Sequence, residues 1–336
     1  MNLQKSVEIQ TDMTLTGWRY IWPLLLIMVL LGFCLFKAMW PFFVADNPWQ
    51  DILYSLKRVY WSFWQSALFS PWFYIGVPLL LIMQVLWPVQ RNVKNLGSSL
   101  RMDFLYLLIM IPFYAITVPL FFSFLGEVYE QYFSIINLSA LVHHIPLLEI
   151  ILGILVIDFL GWMHHLVRHK VPVFWDFHAI HHSQTKMNPF TNERVHPLDV
   201  LIARIIKYIP ALFFEDAISV GFSYLVLHAF LDRLNHSNIR TNLGVFRYLL
   251  VTPQSHRVHH SKQKEHYDKN FGVTLSIWDY CFGTQVRDYS VYPKTGVPDQ
   301  NFPLEQPSDL SIANCIHVWI KQFIYPFRVA CHKAFY

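Results

Sequence analysis

The chain has 336 residues, of which 54% are hydrophobic, 17% aromatic and 14% charged, with a formal charge of +4. Soluble domains carry about 25% charged residues, so the composition excludes an ordinary soluble globule and points to lipid. A charge this small, with no long basic run, excludes nucleic acid as a partner and places the positive side chains beside anionic headgroups.

Residues 1–17 are polar and mixed in charge, and the apolar run after them is too long for the core of a signal peptide. A membrane span needs about 20 mostly apolar residues. Four stretches qualify: 18–44, 70–88, 104–125 and 146–163. Trp18, Trp22, Trp40, Trp61, Trp64, Trp72 and Trp87 crowd their ends, as in an interfacial aromatic belt. Between the first two, 45–69 mixes aromatic and charged residues and reads as an interfacial amphipathic helix. Two later apolar stretches, 198–214 and 217–235, are interrupted by Arg204, Lys207, Glu215 and Asp216. They read as a hairpin that enters the bilayer without crossing it. After residue 235 the chain turns polar. From 308 to 330 it is apolar again, with Trp319, Phe323, Tyr325 and Phe327 beside Lys321 and Arg328, and reads as a helix on the membrane surface.

The expected fold is therefore all-α: a polytopic membrane helical bundle of about four full spans plus a membrane hairpin. A cytoplasmic, His-rich helical region caps it. The expected divisions are 1–145, membrane-spanning; 146–290, catalytic; and 291–336, an amphipathic tail. Arg91, Lys94 and Arg101 in one loop, and Arg168, Lys170, Lys186 and Arg194 after the fourth span, put both regions on the cytoplasmic side. Cys34, Cys281, Cys315 and Cys331 lie far apart with no CxxC pair, which excludes a thiolate zinc site and a disulfide framework.

The histidines carry the chemistry. Twelve of the 17 fall between His164 and His260. Three clusters stand out: His165 with His169; His178 with His181 and His182; and His256 with His259 and His260. Residues three and four apart share a helix face, so each cluster aims two or three imidazoles one way. Neutral imidazole suits iron, zinc, copper and nickel, and three such faces brought together suffice for two metal ions. Random placement of the 17 histidines yields the HxxHH pattern roughly 0.04 times, and it occurs twice. A fourth contribution comes from the hairpin, where His228, Asp232 and His236 recur four apart on one face. His236 is the favoured ligand of that face, with His228 and Asp232 as further candidates. The pair His143–His144, the tail residues His317 and His332, and His164, about 100° around the helix from His165, are expected to be outside the site.

These strings resemble the fatty acid hydroxylase superfamily, which includes sterol desaturases, carotenoid and fatty acid hydroxylases and alkylglycerol monooxygenase. The resemblance covers about residues 150–290. It rests on Asp158 to His169, Trp175 to Ser183, Arg194-Val-His196-Pro197, Asn235-His236-Ser237-Asn238, Thr252 to His260, Asp268 to Gly272 and Trp278 to Thr284. It implies two irons that activate O₂, held by His165, His169, His178, His181, His182, His236, His256, His259 and His260. Some relatives have a further histidine where this chain has Asp232, so Asp232 either serves as an oxygen ligand or leaves the site one donor short. Asp158, His196, Asn270 and Asp279 are expected behind the ligands, since metal-bound imidazoles donate their second N–H to a carboxylate or carbonyl.

The function so implied is O₂-dependent hydroxylation of a lipid drawn from the bilayer, with desaturation of a sterol or acyl lipid as the alternative. No haem, flavin or iron–sulfur motif occurs, so a separate electron-donor protein is implied. A His-rich metal transporter or binding protein is the rival class, but transporters place ligands at the bilayer midplane, and these clusters lie outside the spans. A zinc hydrolase would want an HExxH motif, and the chain has no His-Glu pair. Zinc outcompetes ferrous iron at imidazole sites, so a purified sample can hold zinc in place of iron. With neither a fused cytochrome domain nor a C-terminal retrieval signal, a bacterial inner membrane is favoured over the endoplasmic reticulum.

Overall fold

The computed structural model describes residues 75–91, 96–142, 145–214, 217–305 and 311–335. The expected span at 18–44, the amphipathic helix at 45–69, the tryptophan belt up to Trp72, His143–His144, and Glu215 and Asp216 lie outside the described residues.

Among the described residues the fold is all-helical, with three isolated β-bridges and no strand. Nine α-helices follow one another: α1 Val77–Leu86, α2 Leu96–Tyr132, α3 Pro146–Lys170, α4 Pro172–His182, α5 Pro197–Tyr208, α6 Ala217–His236, α7 Pro253–His259, α8 Ile277–Cys281 and α9 Ile312–Phe335. Among them α3, with 25 residues, is the one long and apolar enough to cross a membrane by length and composition. Of the other expected spans, 70–88 contains α1, which is apolar but 10 residues long. The stretch 104–125 lies inside the 37-residue α2. The expected hairpin is two helices, α5 and α6, joined through a 3₁₀ turn at Ile209–Phe213.

Local sequence explains where the helices begin and bend. Proline opens α3, α4, α5 and α7, where its missing N–H is unneeded and its fixed φ fits. Val171, caught before Pro172, is extended at φ −99° and ψ 114°, as the proline ring demands of its predecessor. That single residue breaks the helix between His169 and His178. Arg168 and Lys170 in the last turn of α3 complement its dipole. Thr252 and Ser255 form a reciprocal capping box at the start of α7, satisfying two otherwise orphaned N–H groups.

Packing then joins the helices around the His-bearing segments. Ile157 of α3 lies buried against Val220 and Tyr224 of α6. A Cβ on Gly153 would come 2.2 Å from Val220 Cγ1, so this close helix approach needs glycine. On the other side, Met102 and Tyr106 of α2, Ile180 of α4, and Val318 and Tyr325 of α9 share one core cluster. The tail expected on the membrane surface is thus half committed to the protein. One face of α9 is buried there, and Ile312, Ile316, Ile320 and Ile324 stay exposed on the other.

A buried ion cluster fixes the loop after α4. Arg194, with no exposed surface, pairs with Asp103 of α2 at 2.7 Å and with Glu305 at 2.8 Å. The second Asp103 oxygen accepts from Gln184, Asn188 and Thr191. Two residues past His182, the chain is therefore tied to α2.

Candidate metal centre

The corner at Val171 turns α4 so that its imidazoles face those of α3, while α6 and α7 close the remaining sides. Nine imidazoles converge, in two groups. His165, His169, His178, His182 and His259 form one; His181, His236, His256 and His260 form the other. Within each group the available ligand atoms lie within 4.8 Å of one another, and every member except half-buried His169 is buried. These are the nine histidines singled out from spacing, and the structure divides them five and four.

Hydrogen bonds on the far side of the rings set which nitrogen points inward. His165 donates Nδ1–H to the Phe271 carbonyl at 2.9 Å, and His259 donates to the Lys269 carbonyl at 2.9 Å. His178 donates to the Asp199 carboxylate at 3.1 Å, and Asp199 also pairs with Arg168 at 2.8 Å. In the second group His236 donates to its own helix, to the Asp232 carbonyl at 2.7 Å, with the Asp232 carboxylate 3.3 Å from the same nitrogen.

The consequence is an electrostatic problem that a cation solves. His165 and His178 have both committed Nδ1–H to acceptors, so in neutral rings both Nε2 atoms carry lone pairs. Those two nitrogens face each other at 3.1 Å. In the second group, His236 Nε2 stands 3.0 Å from His181 Nε2 and 2.9 Å from His256 Nε2, which is 3.1 Å from His260 Nε2. Donors bound at right angles to one ion, through bonds of about 2.1 Å, lie about 3.0 Å apart. Nε2 of His169, His182 and His259 is buried with no hydrogen-bond partner, as for an atom reserved for a ligand. Protonation is the costly alternative. Burial, reinforced by neighbouring imidazoles and, for His178 and His181, by Arg168, holds His178, His181, His182, His256 and His260 well below the ordinary range. Burial alone is the main cause pushing His259 down to about 4. The donor set, neutral nitrogens throughout, fits first-row metals such as iron and zinc.

The other predicted residues sit elsewhere. His228 belongs to neither group; its Nδ1 donates to Thr274 Oγ1 at 3.0 Å and its Nε2 accepts from Lys207 at 3.2 Å. Asp232 lies behind His236 and also accepts from Asn192. Asp158 touches none of the nine rings: it accepts from the Thr274 and Leu275 amides, Trp278 and Tyr224. His196 is the N-cap of α5, accepting from Leu198 N–H and donating to the Phe323 carbonyl. Asp279 and Asn270 act one step removed. Asp279 accepts from the Phe271 and Gly272 amides, which fixes the carbonyl that His165 uses. Asn270, at φ 56°, bonds the Ser255 carbonyl and the Val286 amide. It lies between Lys269 and Phe271, whose carbonyls accept from His259 and His165.

Sequence reasoning passed over Asp199, a carboxylate bonded directly to the His178 ring of the first group. It also passed over Trp175 as a wall of the site. That indole packs, tilted, 5.0 Å from His169 and 5.1 Å from His182 between ring centroids.

The comparisons with known proteins cover the same stretch. The family model for fatty acid hydroxylase matches residues 150–284. An ornithine lipid hydroxylase of Rhizobium tropici is 31% identical over 136 residues, 40% of this chain and 41% of the relative. Human alkylglycerol monooxygenase is 34% identical over 129 residues, 38% of this chain and 28% of the relative. A very-long-chain aldehyde decarbonylase of Oryza sativa is 25% identical over 151 residues, 41% of this chain and 24% of the relative. The matched region thus spans less than half the length of these curated relatives. No solved structure matches the chain. All nine converging imidazoles fall inside residues 150–284, the stretch that matches the fatty acid hydroxylase family model.

Proposed function

We propose that the protein is a membrane-bound, O₂-dependent lipid hydroxylase with one iron ion in each imidazole group. One observation carries the reading: the five-and-four division of buried imidazoles, with Nε2 lone pairs set against each other. The relatives' names, lipid hydroxylase and monooxygenase among them, support the reaction class. Iron held there supplies O₂ activation and oxidation of an unactivated C–H bond, chemistry that no side chain provides.

The chain's own residues hold that chemistry in place. Asp199, Asp232 and the carbonyls of Lys269 and Phe271 fix the rings of His178, His236, His259 and His165, so Nε2 of these four meets the metal without rotating. Trp175 and Phe271 pack against the rings and keep bulk water off them. The ligands at His165 and His169 lie in the last turns of α3. With α3 read as a span, that puts the centre at the cytoplasmic end of the bundle, where a lipid reaches it from the bilayer and electrons come from a separate donor protein. The four-span count and the bacterial inner membrane belong to the same proposal.

The test is metal per chain in detergent-purified protein from iron-supplemented cells, beside a His259→Ala/His260→Ala variant. One ion per imidazole group, lost in the variant, is the expected result; metal retained unchanged in the variant would sink the site. Lipid profiles of expressing cells, with and without O₂, then separate hydroxylation, a product one oxygen heavier, from desaturation, a product two hydrogens lighter.

A further inference from the structure

An apolar surface on the polar C-terminal half has no role in the site above. Leu243 and Gly244 take left-handed angles, φ 53° and 57°, and lead into a 3₁₀ turn at Gly244–Tyr248. A left-handed leucine is against local preference, so the rest of the fold holds the turn in place. On this turn Val245, Phe246 and Leu249 are 72%, 62% and 51% exposed. Three large apolar side chains in a five-residue stretch mark a surface that meets something other than water.

What they meet is indicated by their surroundings. The Arg247 guanidinium lies over the rings of Tyr248 and Tyr289, at 5.0 and 4.3 Å. Tyrosine beside a cation is the residue choice of the headgroup layer. Two neighbours then extend the apolar surface on either side. Arg240 donates its backbone N–H to the Trp87 carbonyl at 2.7 Å, tying the segment to the end of apolar α1, whose Val85 is 77% exposed. The Leu249 carbonyl accepts from Ser276, at the start of α8. Just past α8, exposed Phe282 stacks on Trp162 of α3 at 4.6 Å. The turn is therefore linked to the exposed side chains of α1 and to the helix apolar enough to span.

We propose that residues 243–249, with Phe282, insert into the bilayer as a lipid-embedded turn in the leaflet where α3 ends. The proposal rests on reading α3 as a span, and commits to lipid as the occupant. The test places the photo-crosslinker benzoyl-phenylalanine at position 246 in the full chain, reconstituted in phosphatidylcholine–phosphatidylglycerol vesicles. Two control positions take the same probe: Val85 on α1 and exposed Lys264. Phospholipid adducts at 246 and 85, and none at 264, are expected. Adducts at 85 but none at 246 overturn the embedded turn and leave the membrane reading intact. None at either position overturns both. A crosslink from 246 to a second protein chain also overturns it, since the surface is then a protein interface.

Discussion

An imidazole binds a metal through one nitrogen, and whatever holds the other decides how firmly the ring is aimed. Each group contains one ring backed by an acid: His178 by Asp199 and His236 by Asp232. Asp199→Ala removes the partner of His178 Nδ1, and outer partners of this kind are worth about 10–100-fold in metal affinity. Competition against a chelator should show a loss of that size in the first group, beside a lowered stability because Arg168 loses its ion-pair partner. His228 gives the opposite expectation. Bonded to Thr274 and Lys207, it aims no nitrogen at either group, so His228→Ala keeps full metal content while His236→Ala does not; metal analysis of the two variants checks this. The nine imidazoles were legible in advance because helical geometry turns spacings of three and four into shared faces. Asp199 was not legible, since an acid in the first turn of a helix is also an ordinary complement to the dipole. The carbonyls of Lys269 and Phe271 carry no side-chain signature at all.

At the scale of elements, the segment 268–272 matters as much as the helices. Asp268 and Asn270 both have positive φ, 57° and 56°, and between and after them come the two carbonyls that orient His259 and His165. Asn270→Ala forfeits two side-chain hydrogen bonds and a left-handed preference, about 2–3 kcal/mol in all. A lowered thermal midpoint in detergent, with Asn270→Gly recovering only the backbone part, is the expected outcome. The ion cluster is a second such device. Asp103→Ala leaves Arg194 paired with Glu305 but strips Gln184, Asn188 and Thr191 of their shared acceptor; each buried donor left unsatisfied costs about 1–3 kcal/mol, so this variant should unfold at markedly lower denaturant. Among the described residues, helices stand at 197–208, 217–236 and 312–335, close to where the sequence placed the two hairpin arms and the tail. Their partners were not legible, because an apolar stripe looks the same whether it meets lipid or, as in α9, the side chains of α2 and α4.

For the whole molecule, the governing quantity is how many neutral imidazoles the fold keeps from water. Folding buries His178, His181, His182, His256, His259 and His260 in a form that resists protonation, all with depressed values. His196, away from the metal centre, is likewise pushed down to about 4 by burial. In the unfolded chain each would take a proton near the ordinary value of about 6.5. The unfolded state therefore binds more protons as pH falls, and stability must fall with it. The sign is opposite to that of a histidine gaining an acidic partner. Full stability holds above about pH 6.5, and each such group costs the fold about 1.4 kcal/mol per pH unit below that. For His259 and His196 the loss levels off near pH 4, where the folded groups also protonate. Bound metal raises stability without steepening the effect in this window, since the folded rings it binds are already neutral and have no proton to release. Thermal midpoints of metal-stripped protein in detergent should thus drop between about pH 7.5 and about pH 5.5, and those of metal-loaded protein should drop in parallel from a higher start. A stripped protein whose midpoint is flat across that window would mean the rings are already protonated in the fold, and the lone pairs that argue for metal would not exist.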